Sequence, residues 1–441
     1  MKKVLLIGSG AREHVLAETI KRSPQDVHLY VFAKTMNPGI AHMAEGYEVG
    51  DIMDMEAVKE YAKKVRPDFA VIGPEDPIGA GIADELLAVG VECVAPFKKV
   101  AQLEASKSFT RNLLAKYGIP GNPAYGVFEN DHDAHAFATS LKDQGMEFVI
   151  KADGLMAGKG VMVQGDHFDT IDEGMEFAKE CIAKFGRVVF EEKLVGQEFS
   201  LMSFADGVHT FEMPAVQDHK RAFEGDTGPN TGGMGTYSDA DHLLPFLKTE
   251  DVDEARIITK MVQEALQKET GEFYKGIMYG GFIAVKNGVR LIEYNMRFGD
   301  PEAMNVLPLL QTDFIEVCEA MIDRSLDQLP IMFEQKATVC KYVVPEGYPG
   351  KAVKGEKLVL PELPAGVRVY YGSVDQKGDD LILCGSRAVA LVGIGDTIAE
   401  AEKLAESAAS QIQGPVFYRK DIGTKALIQK RIDMMKEIRG N

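Results

Sequence analysis

Hydrophobic positions along the chain keep two rhythms. Solid apolar runs at residues 4–7, 28–32, 69–73 and 91–95 alternate with stretches at 56–65 and 78–89 whose apolar side chains recur every three or four positions. Strand and helix in that alternation predict a doubly wound parallel sheet, with ligands at the carboxyl ends of its strands. That edge carries Gly8-Ser9-Gly10-Ala11-Arg12-Glu13-His14 and Gly73-Pro74-Glu75-Asp76-Pro77. Residues 106–117 have helical spacing, with Ser106 as a cap and Gly118-Ile119-Pro120 as a stop. A compact unit follows to about residue 192: a strand at 147–151, a glycine-rich turn, a second strand opening at Val161, an amphipathic helix at 170–185 and an apolar strand at 187–190. Strands are expected again at 199–206 and 210–216, then a helix at 253–268. Two apolar runs meet at Asn287-Gly288, the strongest short-range hairpin signal. From about residue 337, further strands and an alanine-rich helix at 396–412 read as a small α+β domain, closed by residues 417–423.

The polar interruptions hold the candidate chemistry. Lys151 ends an apolar strand, and Gly154, Gly158 and Gly160 let the backbone after it turn sharply and bring N–H groups close to an anion, with Lys159 beside them. The stretch reads as a hairpin flap over a triphosphate, or as an ordinary glycine-rich hairpin with surface lysines. It is not a Walker loop, because Gly160 stands where Ser or Thr would follow the lysine. From Glu191 to Glu198 a strand edge offers backbone groups to a flat base and a carboxylate to a ribose; a charged turn fits the same residues. Residues 217–237 mix Asp218, Lys220, Arg221, Asp226 and Asn230 with glycines and read as a long binding loop. Glu293, Asn295 and Arg297 lie two apart and share one strand face. A carboxylate beside an amide oxygen suits a hard divalent cation bridging phosphates, and the arginine suits a growing negative charge. Gly299, Asp300 and Glu302 follow directly. At the N-terminus, Gly8, Gly10, the helix start and Arg12 suit a phosphorylated small molecule better than a dinucleotide, since Glu13 replaces the third glycine of G-x-G-x-x-G and no acidic residue closes the second strand; a solvated first helical turn fits Arg12-Glu13-His14 as well.

Composition narrows the function class. A chain of 441 residues is expected to form two to four domains. A formal charge of -18 argues against nucleic acid or an anionic membrane as partner, so an anionic ligand must be held by local cations. The apolar run near the N-terminus is too short for a signal segment, and no run is long enough to span a bilayer. Cys93, Cys181, Cys318, Cys340 and Cys384 are odd in number and scattered, as reduced core thiols of a cytoplasmic protein would be. His132 and His135 lack companions for a zinc site and read as a solvated helix start.

The motifs GSGAREH, GPEDP, KADGLMAGKGV, QDHKR, DTGPNTGGMGTYS and EYNMRFGDPE occur in an order and spacing that resembles the phosphoribosylamine-glycine ligase family of ATP-grasp enzymes, from Val4 to about Gly423. The resemblance implies an ATP-dependent carbon-nitrogen ligase of purine biosynthesis that joins glycine to 5-phosphoribosylamine through a glycyl phosphate. It further implies ATP with magnesium, or manganese in its place, small-molecule substrates, and a monomer or small homo-oligomer. The expected division is an N-terminal substrate domain at 1–103, an ATP-grasp core at 104–119 and 193–328, a hinged flap at 120–192 and a C-terminal domain at 329–430. Carried over by position, Lys107 and Lys151 resemble the two phosphate-binding lysines and residues 154–160 the closing loop. Glu191, Glu192 and Leu194 resemble the adenine edge, Glu198 the ribose partner, Glu293 and Asn295 the magnesium ligands. Arg297, with Lys151, is expected to steady the transferred phosphoryl group. The expected substrate walls are Gly8, Gly10, Arg12, Glu13, Pro74, Glu75, Asp218, Lys220, Arg221, Asp226, Asn230, Thr231, Gly232, Gly233, Met234, Gly299 and Asp300. Two departures from the family pattern stand out: Ala33-Lys34-Thr35-Met36-Asn37-Pro38-Gly39 replaces a shorter turn, and Ala303-Met304 replaces a Thr-Gln pair. The alternatives are another ATP-grasp carboxylate-amine ligase and a nucleotide-binding protein without turnover.

Overall fold

A computed structural model of the chain describes residues 1–154 and 160–440. Gly158 and Lys159, expected in the phosphate loop, lie outside the described residues.

The apolar runs at the N-terminus become the strands β1 (Lys2–Ile7), β2 (Val27–Ala33), β4 (Phe69–Ile72) and β5 (Glu92–Val94), and β3 (Gly46–Val49) joins them. All pairings are parallel, in the order β3-β2-β1-β4-β5. Val4, Leu5, Leu6 and Ile7 are wholly buried in the centre, as a strand covered on both faces requires. The pattern missed β3 because this short edge strand has no buried residue to mark it. Helix α1 (Ala11–Lys21) starts at the turn after β1. The single helix expected at 78–89 is broken in two at Gly81, whose φ of +103° is left-handed.

The compact unit is a four-stranded antiparallel sheet in the order Tyr125–Phe128, Val188–Glu192, Phe148–Ala152, Val161–Val163. Helices Asp131–Asp143 and Ile171–Phe185 pack with it around a core of its own, built on Phe148, Ile150, Phe190, Ala138 and Ala178. Thr170 and Glu173 close a capping box at the second helix.

A second antiparallel sheet carries Thr210–Glu212, Gln197–Ala205, Gly276–Ala284 and Val289–Asn295 in that order, backed by helix Thr249–Thr270. Asn287-Gly288 makes its hairpin, with Gly288 left-handed at φ +77°.

The glycine-rich stretch departs from expectation. Rather than one long loop, its ends are strands Gln217–Asp218 and Gly235–Ser238, and between them Arg221–Phe223 pairs with Thr227–Asn230. Gly235–Ser238 lies against Ala337–Pro345, so the C-terminal sheet runs Gln217–Asp218, Gly235–Ser238, Ala337–Pro345, Val389–Gly395, Val367–Tyr371. Close approach explains the glycine: a Cβ on Gly235 would stand 2.2 Å from the Cys340 carbonyl oxygen. Helix Ile398–Ala409 covers this sheet, and a last helix, Lys425–Arg439, returns to the core, where Arg439 reaches Asp251 at 2.7 Å. That helix was not foreseen. Four cysteines are buried, whereas Cys384 is exposed. Among the described residues, no helix is long and apolar enough to cross a membrane.

Candidate active site

Lys151 leaves the end of its strand and turns its amine to Glu191, 2.8 Å away, with the Ile292 carbonyl at 3.3 Å. Glu191 is also gripped by Arg111 of helix Lys107–Lys116, with Nε and Nη2 at 2.7 and 2.8 Å. The remaining donors of Arg111 reach the carbonyls of Leu291 and Ile292 at 2.9 and 2.7 Å. Burial by itself raises the Glu191 carboxyl, but Arg111 and Lys151 outweigh it and hold it below the usual range. Burial depresses Lys151, and Glu191 restores only part of the loss. Lys107 lies at the mouth of the flap turn, 3.4 Å from the Gly154 carbonyl.

The expected adenine edge lies where the pairing of its strand ends. Strand Val188–Glu192 is paired on both sides, so it is a central strand, and the Glu191 side chain is committed to its ion pairs. Glu192 receives the Ala124 amide on its carboxylate at 2.9 Å, and the Lys193 amide bonds the Glu147 carbonyl at 2.8 Å. Pairing ends there, and the half-buried Leu194 follows with no strand assigned to it.

Strand Val289–Asn295 ends two residues before Arg297, but the alternation of burial runs on: Tyr294 and Met296 are buried, while Glu293, Asn295 and Arg297 are partly exposed and Glu293 lines the cleft. Burial raises Glu293, and the positive charges of Lys220, Lys107 and Lys151 overcome it, so the carboxyl is kept ionised. Glu198, Asp218, Lys220, Ile292 and Glu293 line one concavity. Asn295 accepts from Arg297 Nη2 at 3.2 Å. Among the described residues, no cluster of three or more His, Cys, Asp or Glu side chains forms a metal cage. One carboxylate and one amide oxygen fit magnesium, which takes few protein ligands and completes its shell with phosphate oxygens and water.

At the N-terminal turn the chain serves itself. Glu13 receives the Gly10 amide at 2.5 Å and Arg12 Nε at 2.6 Å, so the first turn of α1 is capped by its own carboxylate. A carboxylate therefore stands at the helix start where Gly8, Gly10 and Arg12 are expected to face a phosphate, with its charge met by Arg12. The glycines are there for Glu13, since a Cβ on Gly8, Gly10 or Gly73 would stand 2.7, 2.8 or 2.1 Å from its side chain. Pro74 caps the next helix, Glu75–Ala80. Glu75 lies 3.2 Å from Arg297 Nε and 3.6 Å from Arg12 Nη1. Burial would raise its carboxyl, but these two guanidiniums bring it down to about 2.

The glycine-rich stretch divides. Asp218 and Lys220 face the cleft, and Lys220 holds Thr231 through its carbonyl, accepting the Thr231 amide and hydroxyl at 2.7 and 2.9 Å. Burial and the neighbouring Glu302 push Asp218 well above the carboxylate range. Gly233, with φ +113°, passes so near that a Cβ would meet Asp218 and Pro301 at 2.7 Å. Met234 is wholly buried, and Gly299 donates its amide to the Met202 sulfur at 3.4 Å. Asp226, Arg221 and Asn230 are not brought to the cleft group. Asp226 is bound by Arg419 at 3.0 Å and by Arg431, Arg221 reaches Asp166 at 3.4 Å, and Asn230 is exposed in the hairpin. Sequence reasoning missed Arg111, Tyr342 and Arg387, and also Ser200 and Tyr279, whose hydroxyls bond Glu302. Each is an isolated polar residue in an apolar or neutral setting, with no local pattern to single it out. The two departures are explained as packing: Ala303 and Met304 are wholly buried, and Asn37 caps the short helix Pro38–Ala41 while its amide reaches the Ser9 and Tyr371 carbonyls at 2.9 and 2.7 Å.

Three family models match in chain order: the phosphoribosylglycinamide synthetase N domain over residues 2–104, its ATP-grasp (A) domain over 105–303 and its C domain over 338–425. The chain belongs to this family. It is 47% identical over 438 residues to the phosphoribosylamine-glycine ligase of Methanosarcina acetivorans, covering 99% of this chain and 98% of that one. It is 48% identical over 444 residues to the same-named protein of Methanocaldococcus jannaschii, at 99% and 100% coverage. The crystal structure of phosphoribosylamine-glycine ligase from Thermotoga maritima superposes with a TM-score of 0.79 at 27% identity, covering 95% of this chain and 99% of that one. A biotin carboxylase domain from Hydrogenobacter thermophilus, solved with magnesium ADP, shares the fold at a TM-score of 0.72 and 16% identity, covering 99% of this chain and 94% of that one. Membership makes the chain an ATP-dependent ligase, and its architecture of parallel sheet, ATP-grasp sheets and C-terminal domain is the family's.

Proposed function

We propose that this chain joins glycine to 5-phosphoribosylamine, giving glycinamide ribonucleotide, ADP and phosphate through a glycyl phosphate, as a cytoplasmic enzyme of purine biosynthesis. The observation that carries the reading is the concavity in which Lys220 and Glu293 meet, with Lys107 and Lys151 adding positive charge to Glu293, Asn295 two residues on in the same strand and Arg297 just beyond its end. A carboxylate is a poor acyl donor and must be activated, and the transferred phosphoryl group needs fixed positive charge around it. Lys107, beside the Gly154 carbonyl, and Lys151, paired with Glu191, hold the phosphates. Glu293 and Asn295 would hold magnesium, which would supply positive charge against the phosphates. Arg297, braced by Glu75 and Asn295, steadies the phosphoryl group as it passes to the glycine carboxylate. The sugar amine then attacks the acyl carbon, the C–N bond forms as the C–O bond to phosphate breaks, and the amine gives up a proton. Closure of the flap unit keeps water from the acyl phosphate.

The test is phosphate release from magnesium ATP, with the sugar amine generated in place from ribose 5-phosphate and ammonia. Release that requires both glycine and the sugar amine, with glycinamide ribonucleotide as product, supports the reading. Positional exchange of bridging oxygen in ATP with glycine alone would support the acyl phosphate. Tight ATP binding without release under any of these conditions would overturn it.

A further inference from the structure

The C-terminal sheet reaches the cleft through two side chains. Arg387, just before strand Val389–Gly395, donates from Nη1 to the carbonyls of Gly232, Gly233 and Asp300 at 2.8, 3.0 and 3.0 Å. Its Nη2 stands 3.2 Å from Asp300 Oδ1, and its guanidinium lies over the Tyr342 ring, 4.5 Å from the centre. Tyr342, on strand Ala337–Pro345, donates its hydroxyl to the same Oδ1 at 2.7 Å, and its amide bonds the Met234 carbonyl at 2.9 Å. One oxygen of Asp300 therefore takes both donors. The other, Oδ2, is turned to the N-terminal turn, 3.9 Å from where a Cβ on Gly10 would stand.

Asp300 lies in a connection between a strand and a short helix, so no backbone ladder fixes its side chain. A carboxylate free to rotate would present its acceptor to substrate only part of the time, whereas one clamped at Oδ1 presents Oδ2 in one direction. The edge it faces holds Glu13 and Glu75, whose charges are met by Arg12 and Arg297, so Asp300 Oδ2 adds an acceptor to an edge that is close to neutral. Of the two co-substrates, the sugar brings several neutral hydroxyl donors, while the reacting carboxylate of glycine belongs beside the cations around Glu293.

We propose that Arg387 and Tyr342 are positioning residues that lock Asp300 so that its Oδ2 accepts hydroxyl hydrogens of the sugar amine; this rests on the ligase reading above. The same clamp holds the Gly232-Gly233 turn in place, so one arginine sets two walls of the substrate site.

Steady-state kinetics of the full chain test this with two conservative changes. Tyr342→Phe removes one hydroxyl, and Arg387→Lys keeps the charge while losing the planar fork. Each is expected to raise KM for the sugar amine about tenfold, the loss of one charge-assisted hydrogen bond, while kcat and the KM values for ATP and glycine change by less than about twofold. The pair Tyr342→Phe with Asp300→Asn should be no worse than Asp300→Asn alone, because nothing is left to position. An unchanged sugar KM in both single variants, full additivity in the pair, a rise confined to glycine, or a rise matched by lost ATP binding would each overturn the proposal. Wild-type release that required a different amine would fail the ligase reading instead, and the same KM comparison on that amine would still judge the clamp.

Discussion

Glu293 and Glu75 are two carboxylates whose charge is set by cations from distant parts of the chain. For Glu293 the expected consequence is catalytic: Glu293→Gln should cut phosphate release by at least about 100-fold while the variant stays folded, with only a small drop in its unfolding midpoint from the lost charge, because it removes a phosphate-side charge and no packing. Normal turnover in that variant would exclude Glu293 from the metal role. For Glu75 the consequence is a pH dependence. Its folded carboxyl sits at about 2 against an ordinary 4.5, so its contribution to stability is present above about 4.5 and is lost as pH falls through about 2. Glu75→Gln should therefore lower the unfolding midpoint near neutral pH, and the gap from wild type should close between about pH 5 and pH 2. A gap independent of pH would mean that Arg12 and Arg297 do not act on it through charge.

Helix Lys107–Lys116, strand Val188–Glu192 and strand Val289–Asn295 meet at a single side chain, Arg111. Arg111→Met leaves Glu191 balanced by Lys151 alone, but removes two charge-assisted hydrogen bonds to it and the donors to the Leu291 and Ile292 carbonyls, and should cost about 1.5–3 kcal/mol in chemical unfolding. A loss below about 1 kcal/mol would show that water reaches and screens this pair. A second junction is steric. Helix Pro38–Ala41 crosses α1 so closely that a Cβ on Gly39 would stand 2.0 Å from the His14 ring. Gly39→Ala should thus destabilise by about 1–3 kcal/mol by overpacking, read as a lowered midpoint, although the position has no unusual backbone angle. His14 also accepts the Tyr371 amide at 2.8 Å, so the strain reaches the contact between the N-terminal and C-terminal sheets. At this scale much was legible: α1, the hairpin at Asn287-Gly288 and the capped helix after Thr170 follow from periodicity, turn residues and caps that act within a few positions. The short edge strand Gly46–Val49 and the strands inside residues 217–238 were not, because their partners, and no burial rhythm of their own, make them strands.

Across the whole molecule, the C-terminal sheet is continuous with the binding stretch, since Gly235–Ser238 pairs with Ala337–Pro345. The C-terminal region is thus part of the cleft and not an appendage. A chain ended at residue 334 would lose the partner of that strand, the Arg387 clamp and the Arg419 and Arg431 contacts to Asp226. It is expected to be insoluble, or to show in hydrogen exchange a stretch from 217 to 238 without protection. A soluble truncated chain that protects those amides and turns over normally would refute this.

By itself the sequence determined what depends on near neighbours. Apolar runs and turn residues marked most strands and helices, and two-residue periodicity put Glu293, Asn295 and Arg297 on one face, because side-chain direction in a strand is a local property. Motif order supplied the family. Only the tertiary structure decided which charges meet: Arg111 finds Glu191 across 80 positions, Arg387 finds Asp300 across 87, and Arg297 finds Glu75 across 222. It also decided that Glu13 fills the turn expected for a phosphate and that Asp226 turns to Arg419 and Arg431. An ion pair is a choice among many partners of the right sign, made by burial and distance once the chain has folded, and no periodicity along the chain encodes it.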